Sequence, residues 1–234
     1  MTRTAILVDG NYYLRRARRL RGAISAADRA RELHAYAVRH ITQRRDIKLE
    51  YGDRSLYRIF YYDCPPVSDA CVMQPWDGHN RVFNRKNPSN MWSTEFQAEL
   101  SRMRKVAMRM GEVRTANMHF NLKESSLKQL LAKEISVDEL GEDDFTLVGM
   151  KQSGVDMRIG LDVASLAEDR IVDQIVLIAG DTDFVPVAKV ARRAGVDFLV
   201  DPMGHRLPPE FVMQVDGVED LSDSLILPRE LPCD

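Results

Sequence analysis

Cysteine is scarce in this chain, and its three copies, Cys64, Cys71 and Cys233, form no CxxC pair. An odd number at these spacings gives neither a disulfide framework nor a zinc knuckle, and adding His79 to Cys64 and Cys71 still lacks the spacing of a metal site. Long hydrophobic runs are missing too: no apolar stretch reaches the roughly 18 residues that span a bilayer. Met1-Thr2-Arg3-Thr4 leads straight into a strand, without the apolar segment and small-residue cleavage site of a secretory signal, so the expected location is cytoplasmic. No GxGxxG turn or P-loop occurs, which argues against a nucleotide-binding Rossmann protein. Internal repeats and low-complexity tracts are also absent.

What is present is enough apolar material, 44% of 234 residues, for one substantial core. A single α/β domain with insertions is the natural reading. The net charge of -2 hides an asymmetry: residues 12–59 hold thirteen Arg or Lys against five acids, whereas 216–234 hold six acids and one arginine. Arg15, Arg16, Arg18, Arg19 and Arg21 fall within seven residues, a density that favours a polyanion surface over a merely solvated helix face.

Periodicity places a strand at 4–9, a basic helix at 12–21, a helix at 26–45 and a strand at 56–62 that ends on Asp63. Pro65-Pro66 then starts an irregular excursion over 63–93, read as an insertion or lid. A helix at 94–110 and a strand at 112–120 follow, then a charged, helix-prone second insertion at about 121–148 with a Leu127, Leu130, Leu131 stripe. Its Glu142-Asp143-Asp144 run is a solvated turn. A helix at 155–168, a strand at 174–179, a helix at 184–193 closed by Gly195 and a strand at 196–200 complete an alternation typical of parallel βαβ crossovers. Residues 1–215 are thus one domain and 216–234 an acidic tail.

Two apolar runs deliver acids at strand ends. Ala5-Ile6-Leu7-Val8 ends at Asp9, followed by Gly10-Asn11; Ile175-Val176-Leu177-Ile178-Ala179-Gly180 ends at Asp181-Thr182-Asp183. Open parallel sheets bind ligands beyond the carboxyl ends of their strands. Asp156 opens a helix just after Gly154. Each acid has a structural alternative, Asp9 as a turn cap, Asp156 as a helix amino-terminal acid, Asp181 or Asp183 as an N-cap. Together, however, they can face one crevice, and crowded carboxylates repel unless a cation lies among them. With no histidine or thiolate at these positions, the cation is a hard one, Mg²⁺ or Mn²⁺. Asn11 can orient a carboxylate or water without adding charge, and Asp162 stands six residues beyond Asp156, off its helical face.

Val8-Asp9-Gly10-Asn11, Lys151-Gln152-Ser153-Gly154-Val155-Asp156 and Ile178-Ala179-Gly180-Asp181-Thr182-Asp183-Phe184-Val185-Pro186, with Phe60-Tyr61-Tyr62-Asp63-Cys64-Pro65-Pro66, resemble the NYN domain of the PIN-like nuclease superfamily, specifically its bacterial LabA-like group. The resemblance covers roughly 1–66 and 149–215. It implies an α/β fold, a PIN-like α/β/α sandwich with a central mostly parallel sheet, and a metal-dependent endoribonuclease. By motif, Asp9, Asp156 and Asp181 would hold Mg²⁺ or Mn²⁺, with Asn11 and Asp183 assisting catalysis. Ala179 stands where many relatives carry serine. Arg15, Arg16, Arg18, Arg19 and Lys151 are the candidate RNA contacts. Single-stranded or loop RNA is expected because Trp76, Trp92, Tyr12 and Tyr13 could stack splayed bases, although packing is the commoner role of such residues. The alternative is a noncatalytic RNA-binding or regulatory module. A haloacid dehalogenase-type phosphatase would need aspartate where Asn11 stands. A homodimer is compatible with all of this, a membrane partner is not.

Overall fold

The computed structural model describes residues 1–42, 53–68, 70–84 and 86–225. In chain order the elements are β1 Thr2–Asp9, α1 Gly10–Arg21, α2 Ala26–Thr42, β2 Arg54–Asp63, β3 Ala70–Met73, β4 Asn80–Phe83, α3 Pro88–Arg102, β5 Val106–Met110, β6 Glu112–Arg114, β7 His119–Leu122, α4 Glu124–Leu131, β8 Phe145–Val148, β9 Lys151–Ser153, α5 Val155–Glu168, β10 Gln174–Ile178, α6 Val185–Arg193, β11 Asp197–Asp201, α7 Pro209–Val212 and β12 Gly217–Val218. They group into two compact units, the first made of 1–63, 92–111 and 154–234, the second of 64–91 and 112–153.

The first unit is a six-stranded sheet in the order β12-β11-β10-β1-β2-β5, and every adjacent pair is parallel. Strand residues alternate between two cores, as the period of two demands. Ala5, Leu7, Ile175 and Leu177 pack with Ile159, Val163 and Leu166 of α5, Ala188 and Ala191 of α6 and Phe211 of α7. Ile6, Val8, Val176 and Ile178 pack on the other face with Tyr12 and Tyr13 of α1, Leu33 and Tyr36 of α2 and Phe96 and Leu100 of α3. Helices on both faces make this an α/β/α layering. The chain runs from β1 outward to β2 and β5, then returns to β10 on the other side of β1 before continuing to β11 and β12. The order therefore reverses between β1 and β10, the position where open α/β sheets open a crevice.

The second unit consists of short antiparallel pairs, β3-β4, β6-β9 and β7-β8, with α4. Trp76 packs edge-on against Phe120, with ring centroids 4.9 Å apart, and against Phe145 at 5.4 Å. Cys71 is exposed and the buried Cys64 donates to the Glu112 carbonyl.

Four readings need correction. The segment 63–93 is not irregular throughout but holds the β3-β4 hairpin and the start of α3. The helix expected over 94–110 ends at Arg102: Lys105 turns the backbone at φ 63, and Val106–Met110 is the sheet's edge strand, half-buried at every position. The strand expected over 112–120 is two strands, β6 and β7. The acidic tail from 216 is, up to 225, part of the sheet-bearing unit, because Gly217 and Val218 pair with Leu199 and Val200 and Leu221 and Leu225 are buried. The end of the helix drawn to 45 lies outside the described residues.

Gly10 is required by a close approach at the crevice. A Cβ there would stand 2.4 Å from the Tyr61 hydroxyl and 2.6 Å from the Tyr62 carbonyl. Gly10→Ala is expected to destabilise the fold by about 1–3 kcal/mol, the usual cost of overpacking. Urea unfolding checks it, and an unchanged midpoint would show that Tyr61 yields freely.

Candidate metal and nucleic-acid site

Asp9 ends β1 and caps α1, its carboxylate accepting from the Tyr12 amide at 3.1 Å. Burial, above all, pushes this carboxyl up from 3.8 to about 6; the Tyr12 bond and Arg15 pull it down, while the charges of Asp156 and Asp63 push it further up. Asp156, in the first turn of α5 after a left-handed Gly154, is also raised, first by desolvation and then by Asp181 and Asp183. Asp181 caps the 3-10 turn Thr182–Phe184 by accepting from the Asp183 amide at 3.0 Å. The capping alternatives for Asp9 and Asp181 therefore hold as well as the shared-field reading. A cap uses one carboxylate oxygen and leaves the other.

The strand ends at this edge are kept in register by Tyr12. Its ring lies so close to Gly180 that a Cβ there would meet it at 2.5 Å, and its hydroxyl donates to the Pro202 carbonyl at 2.6 Å. One α1 side chain thus ties the ends of β10 and β11 to the end of β1. Tyr12 and Tyr13 are buried core residues that offer no faces to bases; Trp92 is half-buried, stacked on Phe96 and donating to the Ile24 carbonyl.

Asp63 is a strand-end acid that sequence reading left outside the site. Asp9 is paired in register with Tyr62, and Asp63 follows at the end of β2, held by the Tyr61 hydroxyl at 2.8 Å and Gln97 at 3.4 Å. Its position at the end of an apolar run, like that of Asp9, is the signal that could have found it. Asp162 accepts from both the Tyr62 hydroxyl and Arg109 at 2.8 Å, which ties α5 to β2 and β5.

Among the described residues, no three Asp, Glu, His or Cys side chains are gathered closely enough to cage a metal ion. Asp9 feels Asp156, and Asp156 feels Asp181 and Asp183, across a gap that their own oxygens do not close. The donors are nevertheless hard oxygens that raise one another's proton affinity. Such a set suits Mg²⁺ or Mn²⁺ retaining several of its waters better than a stripped ion.

The arginine cluster divides. Arg15, Arg18 and Arg19, spaced i, i+3, i+4 on one face of α1, are exposed. Arg16 instead makes two hydrogen bonds, of 3.1 and 2.7 Å, to the Met203 carbonyl, and Arg21 bonds the Leu225 carbonyl. Arg29 is buried against Glu32, and Arg54 pairs with Glu219 at 2.9 Å. Four of the thirteen cations in 12–59 are thus engaged within the fold. Asn11 is exposed in the first turn of α1, and Lys151 lies in β9 of the second unit.

The shift on Asp9 fixes a pH dependence. Its unfolded value is 3.8 and its folded value about 6, so the folded state holds the extra proton between them. The stability this gives is fully present below 3.8 and lost as pH rises through about 6. In EDTA, wild type is expected to lose unfolding free energy relative to Asp9→Asn as pH rises from about 4 to 7. Urea titrations across that range check it; a constant difference would contradict it.

Among families of known proteins, residues 75–218 match the NYN domain. No curated protein matches this chain. A protein of unknown function from Vibrio parahaemolyticus is similar over 96% of this chain and 95% of its own, at 12% identity and a TM-score of 0.46. Among the described residues, no helix is long and apolar enough to cross a membrane. The matched stretch is more than half of the chain and contains Asp156, Asp181 and Asp183, and on that ground the chain belongs to the NYN domain family.

Proposed function

We propose that this protein hydrolyses RNA phosphodiester bonds with the help of a divalent cation, Mg²⁺ or Mn²⁺, held at the carboxyl edge between β1 and β10. The observation that carries the reading is the desolvated Asp9 at the point where strand order reverses, within the field of Asp156 and Asp63. Asp9, Asp156 and Asp181 would hold the ion. The bound ion would supply Lewis-acid stabilisation of the phosphoryl oxygens and activation of a water. Asn11 and Asp183 are both exposed at the same edge; Asn11 would donate to the scissile phosphate and Asp183 would accept from the attacking water. Arg15, Arg18 and Arg19 hold the RNA backbone by counterion release, which gives affinity with little sequence choice and suits single strands or loops. The three motifs resemble those of the LabA-like group, to which we assign the chain.

Incubation of labelled RNA and DNA with Mg²⁺, Mn²⁺ or EDTA tests the activity. Wild type is expected to cut RNA internally only with a divalent ion, and Asp9→Asn, Asp156→Asn and Asp181→Asn each to lose about 100-fold or more, as mispositioning one partner does. Full activity of Asp181→Asn removes the reaction from this site. Metal-independent binding without cleavage would instead favour a noncatalytic RNA-binding module.

The divided arginine cluster makes a second prediction. Arg15, Arg18 and Arg19 changed together to Gln should flatten the salt dependence of RNA binding, by about 0.7 in log-log slope for each lost contact. Arg16→Gln should lower the melting temperature instead. Equal slopes for wild type and the triple variant would return these arginines to a solvated face.

A further inference from the structure

Beyond β11 the chain makes a turn whose backbone is strained and yet tied down on all sides. The His205 amide donates to the Pro202 carbonyl at 2.9 Å, and the two central residues, Met203 and Gly204, both have positive φ, 48 and 72. That is the mirror-image type of turn, and a buried methionine is a costly residue to place in it. The conformation persists because its surroundings over-determine it. Tyr12 holds the Pro202 carbonyl, Arg16 doubly holds the Met203 carbonyl, Asp201 accepts from the Met203 amide at 2.7 Å, and Asp220 accepts from the Gly204 amide at 2.8 Å. Asp201 is itself fully buried and fixed by the Tyr36 hydroxyl and, at 2.9 Å, by His40.

This rigid turn leads into two exposed residues. His205 and Arg206 are both exposed, directly after the turn. The turn starts at the carboxyl end of β11, where Asp201 is in register with Ile178 of β10, the strand that leads to Asp181. It therefore stands on the same edge as the acids, about one strand spacing of 4.8 Å beyond β10. Arg16 fastens it to α1, the helix whose exposed face carries Arg15, Arg18 and Arg19. The nearby Asp220 is engaged by the Gly204 and Ser222 amides.

We propose that the 202–206 turn is a second, preorganised contact for the phosphate backbone of the RNA, with Arg206 and His205 as its donors, lying on the β11 side of the acids. Backbone strain held by surrounding structure is a feature of ligand clamps, because a donor fixed before binding loses little entropy on binding. An extended strand crossing the carboxyl edge from β1 towards β12 meets this turn after the acids. The inference rests on the RNA-cleaving reading and adds to it a direction in which the substrate lies.

Binding of fluorescein-labelled single-stranded RNA is measured by anisotropy in EDTA over a series of salt concentrations, and cleavage with Mn²⁺ is measured alongside. Arg206→Gln is expected to weaken binding several-fold and to make the log-log salt slope shallower by about 0.7, with an unchanged melting temperature because the side chain is exposed. Arg206→Lys should restore the slope. Gly204→Ala keeps every charge but places a Cβ 3.1 Å from the Ser222 hydroxyl at a positive φ, so it should weaken binding by shifting the turn. If wild type binds and cuts RNA but Arg206→Gln has the wild-type slope and affinity, the turn is no contact and the nuclease reading stands. If wild type binds no RNA, both fall. Should Gly204→Ala unfold, Arg206→Gln decides alone.

Discussion

The fold's candidate chemistry depends on one constraint, the desolvation of Asp9. This carboxylate must cap α1 through the Tyr12 amide while standing at the end of a central strand with Asp156 and Asp63 within electrostatic reach. A parallel sheet gathers strand ends on one edge, so its topology concentrates like charge there. The ionised edge is least stable when empty and neutral in pH. Whatever neutralises it gains from that repulsion, and a divalent cation does so without removing the charge that holds it.

Tyr12 converts this local chemistry into a connected edge. Its ring excludes any side chain at Gly180 and its hydroxyl takes the Pro202 carbonyl, so the turns after β10 and β11 are positioned from α1. Arg16, one helical turn further on, repeats the link to Met203. A residue that reads from its sequence context as a polyanion contact is thus a strut, holding the turn that leads to the exposed His205 and Arg206.

Regular, buried elements were legible in the sequence. Residues 155–168 form the helix their spacing predicts, and the apolar runs ending near Asp9 and Ala179 are central strands, because a doubly buried strand has to be continuously hydrophobic. The edge strand Val106–Met110 was not legible: half-burial at each position removes the alternation, and a helical pattern runs into it from α3. The short hairpins of 64–91 and 112–153 are too brief to establish a period. Of the site, the strand-end acids could be read and their convergence into one field expected, since the βαβ order sets which ends adjoin. The gap between them could not, nor could the division of the arginines, because both depend on side-chain reach across elements distant in sequence.

The central claim, that this edge is a cation site built on mutual repulsion, is tested most directly by melting curves of wild type and Asp181→Asn at neutral pH, each in EDTA and in Mn²⁺. Wild type should gain stability with the ion, by about 2.7 kcal/mol at 100 times its dissociation constant. The variant should melt higher than wild type in EDTA and gain much less from Mn²⁺, since asparagine keeps the cap to Asp183 but not the charge. Equal gains in the two proteins, or a variant that melts lower in EDTA, would contradict the account.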